Sequence, residues 1–379
     1  MAWIRTERCT MTDRITAAEA WLVHLPMPYE LVLGPITYKT RDYVVLRLTT
    51  ASGLTGVAVG YTRHTPLIEA LEILVPQIKG LGLEPGEVQR TLKGRFSPGW
   101  GSLVRAASLI DIALWDINAK ARQQSLEDFM GTRNEPVPLM AVAGYFLEAR
   151  GKSAVVEEIE RFVAEGYTTI KLIIPGHNLE HDLDLIGDIN QILPSGVTLA
   201  ADFHGAFHSV DEAVQYSEGL SDCGLRFIED AFPSYESDMV SAFARAAGTP
   251  AAAGEDVMTP AAHRALLDGG VSYLRADATA TGGYTAAMKS VAAAEDAAAW
   301  VAPHVWPHIH HPLSHTSSRV AMIETIPRYV GADPIVDLLL EDLPIVDGKW
   351  SPPQHEGLYL PLDWARVEAL ASVSRTWAL

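Results

Sequence analysis

The sequence predicts an α/β protein: a modified, TIM-like (β/α) barrel preceded by a smaller α+β unit. Three observations predict it. From about residue 137, short apolar runs alternate with helical patterns at near-equal intervals, as parallel strands joined by crossover helices require. Three successive runs end on a carboxylate: L-A-A-D-F-H-G (199–205), L-R-F-I-E-D-A-F (225–232) and A-A-A-G-E-D (251–256). Before residue 137 the rhythm differs, with strands first and helices after.

The elements follow in order. Residues 15–27 alternate apolar and polar up to a Pro, which reads as a strand. Residues 28–40, with Pro, Gly and two tyrosines, read as a loop. Residues 41–50 form a second strand, and after a Ser-Gly turn 54–60 is its hairpin partner. Helical patterns follow at 65–78 and 101–123; in the latter Leu103, Ala106, Ile110, Ala113, Leu114 and Ile117 make one apolar stripe. The barrel strands are placed at 138–145, 168–174, 198–204, 225–230, 250–255, 271–278 and 299–305. Helices lie between them, a last helix spans 312–326, and an eighth strand falls near 334–340. The expected domains are 13–134 (α+β), 135–350 (barrel) and 351–379, a segment returning to the first unit.

Composition narrows the partners. The chain has 379 residues and a net charge of −18, which argues against nucleic acid or an anionic membrane. No apolar run approaches the roughly 18 residues of a membrane span. Cys9 and Cys223 suggest no disulfide framework, so a reducing, cytoplasmic compartment is expected. Residues 1–14 carry charges and no apolar core, unlike a secretory signal, and Met11 is a candidate start.

The chemistry begins with Asp202, Glu229 and Glu255, which stand 27 and 26 residues apart (202 to 229, 229 to 255). At the C-terminal ends of adjacent barrel strands they converge on one point, and three anions so close need a cation between them. Oxygen-only ligation suits a hard divalent metal, Mg²⁺ before Mn²⁺. One acidic strand end alone is usually a helix cap; three in consecutive units point to a site.

On these residues, with A-L-W-D-I (113–117) and L-E-D-F-M-G (126–131), the chain resembles the enolase superfamily, within its mandelate racemase-like group. The resemblance covers nearly the full length and makes the first unit a capping domain. It implies Mg²⁺ held by Asp202, Glu229 and Glu255, a small-molecule carboxylate substrate, an enediolate intermediate and a symmetric homo-oligomer. It also pairs Asp277, in L-R-A-D-A-T-A-T-G-G (274–283), with His304 in V-A-P-H-V-W (301–306). A buried carboxylate would fix one imidazole tautomer and raise its basicity.

Two departures carry information. The group's Lys-x-Lys on the second strand is here I-K-L-I-I (170–174): Lys171 is present, but Ile173 stands where the racemases keep a second base. On the third strand, Asp-x-Asn becomes D-F-H, which puts His204 beside Asp202. Lys171, a third-strand D-x-H and a seventh-strand His resemble acid-sugar dehydratases of the galactonate dehydratase type. The expected reaction is α-proton abstraction by His304, Lys171 holding the carboxylate, and His204 protonating the departing β-hydroxyl to give a 2-keto-3-deoxy acid. Racemisation at Cα is the alternative; a metal-binding member without catalysis is the third reading.

The histidine-rich run 303–315 raises a zinc alternative at His311 and His315, although no H-E-x-x-H is present. His308, His310 and His311 are expected to line the barrel mouth or touch the capping domain, and His177 and His181 to lie on the surface. Tyr29, Glu30 and Tyr38 are the candidate specificity residues of the capping segment.

Overall fold

The computed structural model describes residues 13–33, 36–96, 100–132 and 134–379; Met11 and Cys9 lie outside the described residues. The first unit is built on β1 (Ile15–Leu33), β2 (Ile36–Thr50) and β3 (Thr55–Tyr61), an antiparallel sheet. Within the segment expected as a loop at 28–40, residues 31–33 and 36–38 instead pair as the outer part of the β1–β2 ladder, with Leu31 opposite Tyr38 and Val32 opposite Thr37 beyond a register shift between Pro26 and Leu31. Leu31 and Tyr38 are buried on one face while Val32 and Thr37 are exposed, a period-2 pattern strong enough to carry the ladder past the prolines.

The helix Trp100–Lys120 packs against this sheet, and its apolar positions are buried far beyond the single stripe read from sequence. It is sandwiched, with β3 on one side and the helix Gly283–Asp296 on the other. Gly56 permits the close approach to β3: a Cβ there would sit 2.0 Å from the Ala113 carbonyl oxygen. Towards the barrel, Asp111 Oδ1 accepts from Thr285 N at 3.0 Å and Trp115 Nε1 donates to Thr285 Oγ1 at 2.9 Å.

The barrel strands are β4 (Val137–Ala143), β5 (Thr169–Ile173), β6 (Thr198–Asp202), β7 (Ile228–Glu229), β8 (Ala251–Ala253), β9 (Tyr273–Leu274), β10 (Trp300–Val301) and β11 (Ile323–Thr325). They pair in parallel in the order β11-β4-β5-β6-β7-β8-β9-β10. The ring closes through backbone bonds from Val301 N to Arg319 O, Ala321 N to Val301 O and Glu324 N to Pro303 O. Two placements are corrected. The helix expected at 312–326 is Pro307–Ser314, started by a proline at its first turn. The eighth strand is β11, not 334–340, where a 3-10 turn Pro334–Leu338 begins at another proline. A short strand, β12 (Lys349–Trp350), runs antiparallel to β4, and β13 (Ala371–Ala378) joins β1 at the edge of the first sheet. Asp116 ties the units together, accepting from Val57 N at 2.9 Å and Leu358 N at 2.7 Å. Among the described residues no helix is long and apolar enough to cross a membrane.

Candidate active site

The C-terminal ends of the barrel strands gather one charged cluster. Asp202 ends β6, Glu229 ends β7, and Glu255 follows β8 by two residues. Lys171, in β5, reaches into the same space, 2.8 Å from Asp202 Oδ2, 3.2 Å from Glu229 Oε2 and 2.7 Å from Glu324 Oε2. Burial works against its charge, but those three carboxylates hold the ammonium well above its ordinary value. Lys171 is thus ion-paired on three sides. Ile173, two residues on, faces a cavity beside the cluster.

Arg275 sits deeper and fully buried. Its Nε donates to Glu229 Oε1 at 2.8 Å, and its other nitrogens reach Glu324 and the Ala302 carbonyl. On the mouth side, Arg63 extends from just beyond β3 to Glu255 Oε1 at 2.8 Å, with His304 Nε2 at 3.5 Å. Asp202, Glu229, Asp230, Glu255, Asp277 and Glu324 thus outnumber Lys171, Arg63 and Arg275 two to one. The surplus charge is visible in the carboxyls. Burial, then Glu255, Glu229 and Asp202, push Asp230 well above the usual range, and burial raises Glu229 to about 7.

The residues fit a divalent cation. Among the described residues, the grouping with metal-ligand closeness is Glu229, Asp230 and Glu255, whose oxygens lie within 4.8 Å of one another. Asp230 Oδ1 is buried without a hydrogen-bond partner, and Glu229 Oε2 meets only the Lys171 ion pair. The donors are all oxygen, as a hard ion requires. Glu229 and Glu255 stand together as expected. Asp202 does not join them at that distance: Lys171 on the neighbouring strand takes it, and its Oδ1 accepts from the His204 backbone at 3.1 Å.

His304 and Asp277 come together as the family resemblance implied. His304 Nδ1 lies 3.0 Å from Asp277 Oδ2, while Asp277 Oδ1 accepts from Thr279 N at 2.7 Å and Thr279 Oγ1 at 2.8 Å. Asp277 is therefore held at both oxygens. Burial opposes charge on His304, but Glu255, the Asp277 hydrogen bond and Glu324 outweigh it and raise the imidazole above its ordinary value. With Nδ1–H directed at Asp277, Nε2 carries the lone pair and faces Glu255 at 3.5 Å. His204 Nδ1 lies 3.3 Å from Asp202 Oδ1; burial holds this imidazole below its ordinary value, and Asp202 only partly offsets it.

Backbone strain concentrates here. Arg63, Phe146, His204, Asp230, Val305 and Trp306 all have positive φ, which costs a side chain of this kind on the order of 1–2 kcal/mol. Each lies on a segment following β3 or a barrel strand, so the loops that aim the site's side chains are the strained ones.

The remaining expectations meet mixed outcomes. His308, His310 and His311 are buried and do not line the cavity beside His204, but His311 does touch the first unit, at Glu127. His310 Nε2 accepts from Ala278 N at 3.0 Å and its Nδ1 donates to Val305 O at 2.7 Å, fixing the loop behind Asp277. His311 bridges Glu127 Oε1 and the Glu135 carbonyl, each at 3.0 Å, and His315 reaches the same carbonyl at 3.1 Å. Both rings face an acceptor that is already shared, so they form a strut and not a zinc pair. His177 and His181 are exposed, with His177 on the cavity rim. Tyr29 is exposed, its ring 5.6 Å from Phe146; Glu30 lines the cavity; Tyr38 is buried against the His64 ring at 4.7 Å and does not line it.

Sequence reasoning missed Glu324, Arg275, Asp230 and Arg63. Glu324 carries the same signal as its neighbours, an apolar run (M-I-E) ending in a carboxylate, but only 20 residues (304 to 324) separate it from His304. Arg275 is two residues before Asp277 and so shares its inward face. Nothing local distinguishes Arg63, because it arrives from the other unit.

The comparisons with known proteins agree with this architecture. The mandelate racemase / muconate lactonizing enzyme N-terminal domain model matches residues 11–131, and the enolase C-terminal domain-like model matches 154–366. The chain belongs to the enolase superfamily, in its mandelate racemase / muconate lactonizing enzyme group. Among curated relatives, the 3,6-anhydro-alpha-L-galactonate cycloisomerase of Streptomyces coelicolor is 24% identical over 87% of this chain and 91% of its own length. The L-talarate/galactarate dehydratase of Salmonella typhimurium is 25% identical over 67% of this chain and 63% of its own length. Among solved structures, L-talarate dehydratase from Polaromonas sp. JS666, complexed with Mg and L-glucarate, superposes with a TM-score of 0.86 at 22% identity, covering 97% of this chain and 100% of that one.

Proposed function

We propose that this enzyme removes the α-proton of a hydroxycarboxylate in a Mg²⁺-dependent step and eliminates the β-hydroxyl as water, giving a 2-keto-3-deoxy acid. The observation that carries the reading is the His304–Asp277 pair at 3.0 Å, its Nε2 turned to the carboxylate cluster, 3.5 Å from Glu255 and from Arg63. The dehydratase names among the relatives support it.

Asp202, Glu229 and Glu255, with Asp230 alongside, would hold the ion. Bound there, Mg²⁺ would offset the charge that develops on the substrate carboxylate, the main obstacle to breaking an α-C–H bond. Lys171 adds a permanent positive charge on the same side. His304 Nε2 takes the proton from Cα while Asp277 steadies the imidazolium. The Cβ–O bond then breaks, and the oxygen leaves as water after receiving a proton. Two groups can supply that proton: His304, now charged, and His204. Because burial keeps His204 below its ordinary value, His304 is favoured in the neutral range and His204 serves first as a hydrogen-bond partner to the hydroxyl. The enol product tautomerises to the keto acid.

Relatives and neighbours also include a cycloisomerase and a racemase. Racemisation needs a base on each face of the enediolate, and Ile173 supplies none, which weighs toward elimination. The test is incubation with Mg²⁺ in D₂O across acid sugars. Keto acid formation is expected; deuterium entering Cα of both enantiomers with no keto acid would overturn the proposal.

A further inference from the structure

Beside His204 lies a cavity of about 520 Å³ between the β1–β2 hairpin and the loops after β4, β5 and β6. Its position at the metal end of the barrel makes it the space for the part of the substrate beyond the reacting carbons. Its walls are Leu31, Phe146, Ile173 and Phe203, and its acidic side chains are Glu30 and Glu148. Among the described residues no lysine or arginine lines it. Lys39 stands on the hairpin but is paired with Glu30 at 2.9 Å, and Lys152, near Glu148, is held by Asp184 at 2.5 Å and Asp188 at 2.7 Å. His204, His177 and His208 also line it. The cationic groups of the site, Lys171, Arg63 and Arg275, are all engaged by the carboxylate cluster.

We infer that the substrate is a monocarboxylic acid whose distal end is uncharged, with its carbon skeleton against the apolar wall and any terminal hydroxyl directed to Glu30 or Glu148. This rests on the reaction proposed above and narrows its substrate class. A second carboxylate at the distal end would lose its water to an apolar wall, meet no cation and face two acids. The cavity thus disfavours diacids of the kind named for the talarate/galactarate relative.

Calorimetry on Mg²⁺-loaded His304→Asn protein, with galactonate and galactarate as a matched monoacid and diacid, tests this without turnover. The monoacid is expected to bind at least about tenfold more tightly. Glu148→Arg, an exposed change, is expected to reverse the order. Equal or tighter binding of the diacid, or binding of neither up to millimolar concentration, overturns the inference. Exchange of Cα hydrogen by the unsubstituted enzyme reads the reaction separately: exchange confined to diacids sinks this inference and leaves the reaction standing. A monoacid preference in binding with no exchange of either acid does the reverse.

Discussion

Asp277→Asn tests the catalytic core at one atom. In the structure, Asp277 Oδ2 lies 3.0 Å from His304 Nδ1, while Oδ1 receives the two Thr279 bonds. Asparagine can keep its oxygen on Thr279, so the loop should hold and Tm should change little. Its amide nitrogen then faces Nδ1, which must become an acceptor. The proton moves to Nε2, the nitrogen that has to take the α-hydrogen. The negative charge beside the ring also goes. At 3.0 Å and an effective dielectric of ~20 that charge contributes about 5 kcal/mol. The Thr279 donors share the carboxylate, so about 3–4 kcal/mol is the fair expectation, two to three decades in rate, in line with what a positioned general base contributes, roughly 10²–10⁴. The assay is wash-in of deuterium at Cα by NMR, with Mg²⁺ affinity measured in parallel. Exchange within about threefold of the parent enzyme, at unchanged Mg²⁺ affinity, would refute the assignment of His304 as the base oriented by Asp277.

Three further outcomes are expected. Glu255→Gln should weaken Mg²⁺ binding at least about tenfold by calorimetry, and chelation of the parent enzyme should abolish keto acid formation, with recovery on adding Mg²⁺ back. Ile173→Lys restores an amine on the other face of the cavity; deuterium should then enter Cα from that face, and unchanged stereochemistry of exchange would argue that Ile173 does not face the substrate. His263 is buried, facing the Gly254 carbonyl at 2.9 Å and Ser290 Oγ at 2.8 Å, and burial lowers it to about 4. The unfolded state, with an ordinary histidine near 6.5, binds more protons between about pH 6.5 and 4, so this contribution is complete above ~6.5 and is lost as pH falls through that window. Tm measured across that range should fall more steeply for the parent than for His263→Gln.

The sequence by itself determined the barrel rhythm, the ends of β6 and β7 and the run after β8, while the partnership of Asp277 with His304 came from the family resemblance. These are local signals: an apolar run of strand length ending in an acid, repeated at one strand-plus-helix interval, places the acid at the same end of the barrel each time. Only the tertiary structure decided the rest. The short interval before β11 hid Glu324, because proline and histidine crowd the connecting segment and break the interval. Asp202 lies against Lys171 of the neighbouring strand, and Asp230 lies beside Glu229 and Glu255, arrangements set by which strand ends the barrel brings together and not by any local stretch of sequence. Arg63 enters from the capping unit, and Glu30, Leu31 and Val32 line the cavity beside His204, because both depend on how the two units pack together, through contacts between residues up to some 240 positions apart that no window of sequence contains (Arg63 with Glu255 and His304).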